Sequence, residues 1–462
     1  MDGSPLNVSP AAEPDAAHAA RNRRAVVALM IGVALASLDT AIANTALPAI
    51  AFDLHAAPAA SVWVINAYQL AMVATLLPLA ALGDIVGHRR IYITGLAVFT
   101  LASLACALAP SLPALAVARA LQGLGAAGIM SVNSALLRFI YPPHRRGRGF
   151  GLNAMVVGIG FAVGPSVASL ILSVATWPWL FGINVPLGLV VLAVAAPSLP
   201  VSPRSTHRFD WYAAVLNVLT FSALIFALSS AAQREPASWW ASALVAALVF
   251  GALLVRREHG RTSPILPVDL FRRPAFALSS ITSMCTFAAQ GLAFVSLPFY
   301  FEGVLHRNQV DTGFLMSPWS IIVALAAPLA GRLADKYPPG LLGGIGLAIL
   351  SVGMASLALL PADPSVFDIA VRMTICGAGF GFFQSPNLKA LMAAAPPERA
   401  GGASGTVATS RLLGQATGAA LTALCFSLFG MQGATTALWL GAAFAAAASV
   451  ASVLRLRLVA QN

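Results

Sequence analysis

Residues 61–109 read SVWVINAYQLAMVATLLPLAALGDIVGHRRIYITGLAVFTLASLACALA. Two apolar runs flank a short turn that carries Asp84, His88, Arg89 and Arg90. A helix rises ~1.5 Å per residue, so runs of roughly 20 residues cross ~30 Å of hydrocarbon. The pattern continues on both sides. Apolar runs occupy residues 25–48, 61–82, 91–109, 112–137, 150–174, 179–196, 212–230, 239–255, 276–300, 313–333, 341–360, 368–390, 403–429 and 435–453. Lipid offers backbone groups no partners, and runs of this length suit helices rather than barrel strands. The expected fold is all-α and integral to a membrane, with fourteen spans.

Composition agrees. Of 462 residues, 58% are hydrophobic and 9% charged, against about a quarter charged in a soluble domain. The formal net charge of +11 would suggest nucleic acid in a soluble protein. Here the arginines sit in short loops, where they set topology. With both termini in the cytoplasm, the inner side holds 22 of the 27 Lys+Arg, the outer side two, and the spans three. An odd number of spans would scramble that split. Cys106, Cys285, Cys376 and Cys425 all fall inside runs and form no metal spacing or disulfide framework. Arg21, Arg23 and Arg24 before the first run mimic a signal peptide, but the run is too long for an h-region and reads as a retained helix.

The chain repeats itself. Pro48 matches Pro298 at an offset of 250; Leu82 and Asp84 match Leu333 and Asp335 at 251; Arg119 matches Arg372 at 253. Gly151, Gly160 and Gly164 match Gly405, Gly414 and Gly418 at 254. Spans 1–6 therefore correspond to spans 9–14, shifted by an even number, so both copies point the same way. Parallel six-helix repeats are the plan of major facilitator transporters. The expected divisions are a tail 1–24, a six-helix bundle 25–203, two inserted helices 204–274, a second bundle 275–454 and a tail 455–462.

Over nearly its whole length the chain resembles the fourteen-helix drug:proton antiporters of the major facilitator superfamily. Leu38-Asp39-Thr40-Ala41-Ile42-Ala43-Asn44-Thr45-Ala46-Leu47-Pro48 is similar to that family's first-helix motif. Leu82-Gly83-Asp84-Ile85-Val86-Gly87-His88-Arg89-Arg90 resembles the loop 2–3 signature, and Arg119-Ala120-Leu121-Gln122-Gly123-Leu124-Gly125-Ala126 the span 4 motif. Gly158, Gly160, Gly164 and Pro165 resemble the span 5 antiporter motif, and Trp177–Phe181 with Ile183–Gly188 is also family-like. The chain departs from the pattern at Ala80, Ile85, His88, Ala168 and Ser169. The resemblance implies proton coupling through Arg119 and a latch at Asp84, Gly87, Arg89 and Arg90.

The residues themselves narrow the chemistry. Lys336 and Lys389 are the only lysines and neither sits in a P-loop, so the chain carries no nucleotide motor of that kind. All seven histidines fall in tails or loops, against intramembrane haem or a zinc protease. An ion gradient remains, with no cofactor. Asp39 is the one acid placed deep in a span, where a charge costs about 2.5–3.5 kcal/mol on insertion scales and serves an ion path or has a partner. It is the expected proton site, the alternative being a helix-packing aspartate. Arg119 must meet an acid, carbonyls or water. Gly158, Gly160, Gly164 and Pro165 fit either a gate or ordinary close packing. Asn44, Asn66, Gln69, Gln122, Asn133, Gln290, Trp319, Gln384 and Arg411 are the expected cavity lining.

The expected function is proton-coupled efflux of lipophilic drugs or toxic metabolites across the bacterial cytoplasmic (inner) membrane by alternating access. Multidrug efflux and antibiotic resistance follow from it. Its partners are small lipophilic substrates, protons and membrane lipids, not nucleic acid; no periplasmic adaptor is inferable. An uptake symporter on the same fold is the first alternative, and a membrane sensor or lipid-modifying enzyme the second. The lack of catalytic His or Lys weighs against the last.

Overall fold

The computed structural model describes residues 16–142, 146–202, 204, 209–232, 235–259, 268–395 and 400–459. They contain helices and no strand. In order these are α1 (Ala16–Thr45), α2 (Leu47–Asp53), α3 (Pro58–Ser61), α4 (Trp63–Val86), α5 (His88–Ala107), α6 (Leu112–Ile140), α7 (Arg146–Val174), α8 (Pro178–Gly182) and α9 (Asn184–Ser198). Then follow α10 (Trp211–Ala232), α11 (Ala237–Glu258), α12 (Pro274–Phe299), α13 (Gln309–Leu333), α14 (Pro339–Ala358), α15 (Val366–Ala393), α16 (Ala400–Phe429) and α17 (Gly433–Val459).

Among these residues, 12 segments are long and apolar enough to cross a membrane, or 13 with the bent α7 counted as one. The expected fourteen differs because one of those segments, Gly405–Leu456, takes in both α16 and α17. Leu101, Leu121, Leu170, Leu248, Leu325 and Val352 point outward on different helices. In water such a surface would drive aggregation; in hydrocarbon it costs nothing.

Prolines decide where the spans break. Pro has no N–H and its ring crowds the carbonyl four residues back. Pro48 follows the end of α1 at Thr45, so span 1 stops short of residue 48 and restarts as α2. Its repeat partner Pro298 precedes a π turn at Tyr300–Val304. Pro186 follows the break between α8 and α9, and that break starts α9 at Asn184. Pro165 crowds the carbonyl of Phe161, and there α7 bends by 41° between Met155–Phe161 and Val163–Val174. At the chain ends, α1 begins at Ala16 and α17 runs to Val459.

The internal repeat is visible in the packing. In the first half α1 packs on α7 and α9, α4 on α6, and α5 on α6 and α9. In the second half α12 packs on α16 and α17, α13 on α15, and α14 on α15 and α17. These are the same pairs shifted by one bundle. The halves meet through α7 with α13 and, equivalently, α4 with α16. Helix α10 lies against both α4 and α16, held by Asn217 Nδ2 donating to the Ala74 carbonyl (2.8 Å) and Asn66 Nδ2 to Ser229 Oγ (3.3 Å). Helix α11 packs mainly on α10.

The two ends of the molecule differ. The end that holds the start of α1 and the end of α17 is the terminal face. At the opposite face one hydrophobic core runs through both bundles, joining Ile42, Leu47 and Ile50 to Leu297, Phe301 and Leu315. There Gly313 abuts Ser169, and Ser166 Oγ meets Ser317 Oγ at 2.7 Å. Toward the terminal face a second core gathers around Leu29, Tyr92, Phe99 and Leu136 of the first bundle, joined by Phe221 of α10 and Leu412 of α16.

Candidate functional site

Asp39 sits near the end of α1, enclosed by α6 and α9, and is 1% exposed. Its Oδ2 faces Arg119 Nη1 of α6 at 2.5 Å, and Arg119 is equally buried. Oδ1 accepts from Gln122 Nε2 (2.8 Å) and from Asn184 Nδ2 (2.9 Å). Arg119 is spent in turn: Nε donates to the Val64 carbonyl at 3.0 Å, and Nη1 also to Gln122 Oε1 at 2.6 Å. Gln122 Nε2 donates onward to Ser103 Oγ (2.9 Å). The guanidinium lies 4.3 Å from the centre of the Tyr68 ring and 5.4 Å from that of Phe181.

This is a fully partnered ion pair in a dry setting. Desolvation of two charges costs several kcal/mol each, and only such a complete set of donors repays it. Gln122 and Arg119 are one helical turn apart, so one face of α6 supplies both. Asn184 was quoted above only as part of a motif; the α8–α9 break delivers it to the acid.

A second polar group lies between the bundles. A pocket is lined by Asn44 of α1, Gln69 of α4, Gln290 of α12 and Gln415 of α16, with Phe161, Gly291, Phe294 and Val295. Gln415 Nε2 donates to Gln290 Oε1 at 3.1 Å. Asn44 Oδ1 and Gln69 Oε1 are buried without a hydrogen-bond partner. The pocket is narrow, with room for about one water (≈ 10 Å³). The repeat runs through it: offset 250 relates Asn44 to Phe294, and 254 relates Phe161 to Gln415.

The other expected lining residues go elsewhere. Gln122 belongs to the Asp39 network. Asn66 ties α4 to α10, and Asn133 Nδ2 ties α6 to Asn153 of α7 (2.7 Å). Trp319 is buried in the second bundle against Phe294, ring centres 5.3 Å apart. Gln384 is partly buried and lines neither this pocket nor the one described below. Sequence alone marks an amide in a span as inward-facing, but not which neighbour it meets. Arg411 lies one turn from Gln415 on α16, within electrostatic reach of Tyr68. It makes no hydrogen bond or salt bridge among the described residues, and its Nε is buried without a partner. Arg372, the repeat of Arg119, pairs on its own helix with Asp368 at 2.9 Å.

The glycines of α7 separate. A Cβ on Gly164 would lie 2.3 Å from the Ala41 Cβ, and one on Gly160 2.9 Å from the Ser37 Cβ. Gly158 meets nothing within 4 Å and is exposed, so it takes no part in that contact. Pro165 is buried at the α7–α13 seam.

The expected latch residues lie together at the junction of α4 and α5. Asp84 is 64% exposed and pairs with His88 Nε2 across the turn at 3.1 Å. Gly87 turns the chain with φ +109°, open to glycine at little cost. Arg89 donates to the Ala196 carbonyl, and Arg90 is exposed. Together with Arg204 they line a surface pocket of about 360 Å³. Asp335, the repeat of Asp84, pairs with Lys389 at 2.6 Å in its own bundle.

The sequence profile described as Major Facilitator Superfamily matches residues 29–419. The chain belongs to that superfamily. Like its relatives, this superfamily member is a transporter and not an enzyme. It is 51% identical to the "Uncharacterized transporter YebQ" of Escherichia coli (strain K12), over 94% of this chain and 95% of that one. It is 31% identical to "Riboflavin transporter RibZ" of Clostridioides difficile (strain 630), over 89% and 88%. It is also 31% identical to "Multidrug resistance protein Stp" of Mycobacterium tuberculosis (strain CDC 1551 / Oshkosh), over 90% and 76%. Its fold is similar to that of a POT family transporter solved with a thioalcohol-conjugated peptide, with a TM-score of 0.72 at 14% identity, covering 95% of this chain and 96% of that one.

Proposed function

We propose that this major facilitator transporter is a proton-coupled exporter of lipophilic drugs or toxic metabolites in the bacterial inner membrane. The observation that carries this reading is the enclosed Asp39–Arg119 pair beside an amide pocket between the bundles. Asp39 can exchange a proton only if α1, α6 and α9 shift to admit water. A shift of that kind, linked to rocking of the bundles, makes protonation depend on which face is open.

In this reading the terminal face is cytoplasmic and the chain crosses fourteen times, with α16 and α17 as separate spans. Residues 25–203 and 275–454 are the rocking bundles, and 204–274 the insertion. The shared core at the opposite face, with Asp84 free of the second bundle, fits a state sealed on the outside. No cofactor is needed beyond the proton gradient. A proton moved inward gains about 2.3 kcal/mol per 100 mV, equal to a roughly 50-fold outward gradient of a neutral solute.

Purified protein in vesicles with an imposed pH gradient tests the direction. Gradient-driven dye movement out of the compartment facing the terminal face supports export. Movement the other way, with protons, makes it a symporter.

A further inference from the structure

Charge accounting around the central pocket identifies a class of substrate. The sequence holds 16 Asp+Glu, and among them only Asp39 lies well inside a span. Its charge is consumed by Arg119, with both side chains 1% exposed. Gln122 and Asn184 fill the remaining acceptor positions on Oδ1. The acid therefore has nothing left for a cation in the pocket.

Arg411 is the reverse case. It lies in the interior of α16 (Ala400–Phe429), one turn from Gln415, which lines the pocket. Tyr68, next to pocket residue Gln69, lies within electrostatic reach of it. Among the described residues no carboxylate pairs with it, and its Nε is buried without a partner. A guanidinium cannot discharge at any ordinary pH. An unpaired charge at this depth is expensive and marks a pathway. In the pocket that Gln415 lines, one turn along α16 from Arg411, Gln69 and Asn44 hold amides with unmet hydrogen-bonding capacity, and Phe161 and Phe294 supply an apolar wall.

We infer that the substrate is an amphipathic organic anion, a carboxylate, sulfonate or phosphate ester on an aromatic or aliphatic body, whose acid group is received by Arg411. Guanidinium suits such groups because its donors match two oxygens at once. The amides orient the polar edge of the body, and the phenylalanines take its apolar face. This deepens the exporter reading and rests on it for direction only. It also makes export strongly driven by the membrane potential. An anion leaving and a proton entering carry charge in the same sense, so both are favoured by an inside-negative membrane.

The test uses two dyes on one xanthene scaffold, anionic fluorescein and cationic rhodamine 123. Binding to the purified full chain and gradient-driven transport in vesicles are both measured, for the parent, Arg411→Gln and Arg411→Lys. The inference expects the parent to favour fluorescein at least tenfold. Arg411→Gln erases that preference, and Arg411→Lys keeps part of it. Arg411→Gln also melts no lower than the parent, because it removes an unpaired, half-buried charge; a clear fall in its melting temperature assigns Arg411 a structural role and overturns the inference. So does a parent that binds and moves rhodamine 123 but not fluorescein, although the exporter reading then stands. Arg411-dependent fluorescein binding without outward transport keeps the anion site and removes the exporter reading. Binding of neither dye overturns the inference.

Discussion

Asp39 Oδ2 and Arg119 Nη1 lie 2.5 Å apart inside the first bundle, with each side chain 1% exposed. The pair is held by Gln122 and Asn184 on the acid and by the Val64 carbonyl on the base. Removing one partner strands the other. Arg119→Gln should destabilise the protein by ~3–5 kcal/mol. The double variant Asp39→Asn/Arg119→Gln should recover part of that loss, since no charge is left unpaired. Thermal unfolding in detergent compares them. A double variant less stable than Arg119→Gln alone would argue that the pair contributes through packing rather than charge.

Gly164 and Gly158 should behave oppositely. A side chain at Gly164 meets Ala41 at 2.3 Å, so Gly164→Val forces α7 away from α1. Overpacking of this kind costs ~1–3 kcal/mol. Gly158→Ala has free space and should stay within ~0.5 kcal/mol of the parent. Melting temperatures of the two variants decide it; equal losses would mean the α1–α7 contact is not tight in the membrane.

The insertion is anchored through α10. Asn217→Ala removes the bond to the Ala74 carbonyl, and Ser229→Ala the bond to Asn66. Each should cost roughly 0.6 kcal/mol, the average for interhelical bonds in lipid. Hydrogen exchange in residues 211–232 should rise in the double variant, while residues 91–107 stay protected. Unchanged exchange in α10 would show that apolar contact alone seats it.

The Asp84 turn should matter kinetically. Its carboxylate is mostly exposed and, among the described residues, held only by His88. If it gains a partner on the second bundle when the terminal face closes, an exposed pair of ~1 kcal/mol shifts that closed state about fivefold. Asp84→Asn should then lower the turnover rate by a similar factor with normal expression and melting. Full turnover would assign Asp84 to its own loop alone.

Much of this molecule was legible in the sequence. The period of apolar runs and the drifting offsets gave two parallel six-helix repeats, and the helix pairs recur in that order. Asp39, Arg119 and Gln122 were marked because charge and amides are costly in lipid. Pairings across helices were not legible. Asn66 and Asn133 look identical to Asn44 in sequence, yet they tie helices together while Asn44 lines the pocket. Gln415 was missed, although Gly414 matches Gly160 and so sets it opposite Phe161. Asn184 was hidden because its position depends on the helix break before Pro186.

The central claim is that Asp39 carries the proton. The most direct measurement is proton release on substrate addition, together with gradient-driven efflux, from purified protein in vesicles with Asp39→Asn beside the parent. An amide keeps the hydrogen-bonding shape but holds no exchangeable acid proton. The account predicts that Asp39→Asn still binds substrate, releases no proton and loses gradient-driven efflux, while Asp39→Glu keeps a fraction of it. Gradient-driven efflux at the parent rate by well-folded Asp39→Asn protein would contradict the account and make the pair structural.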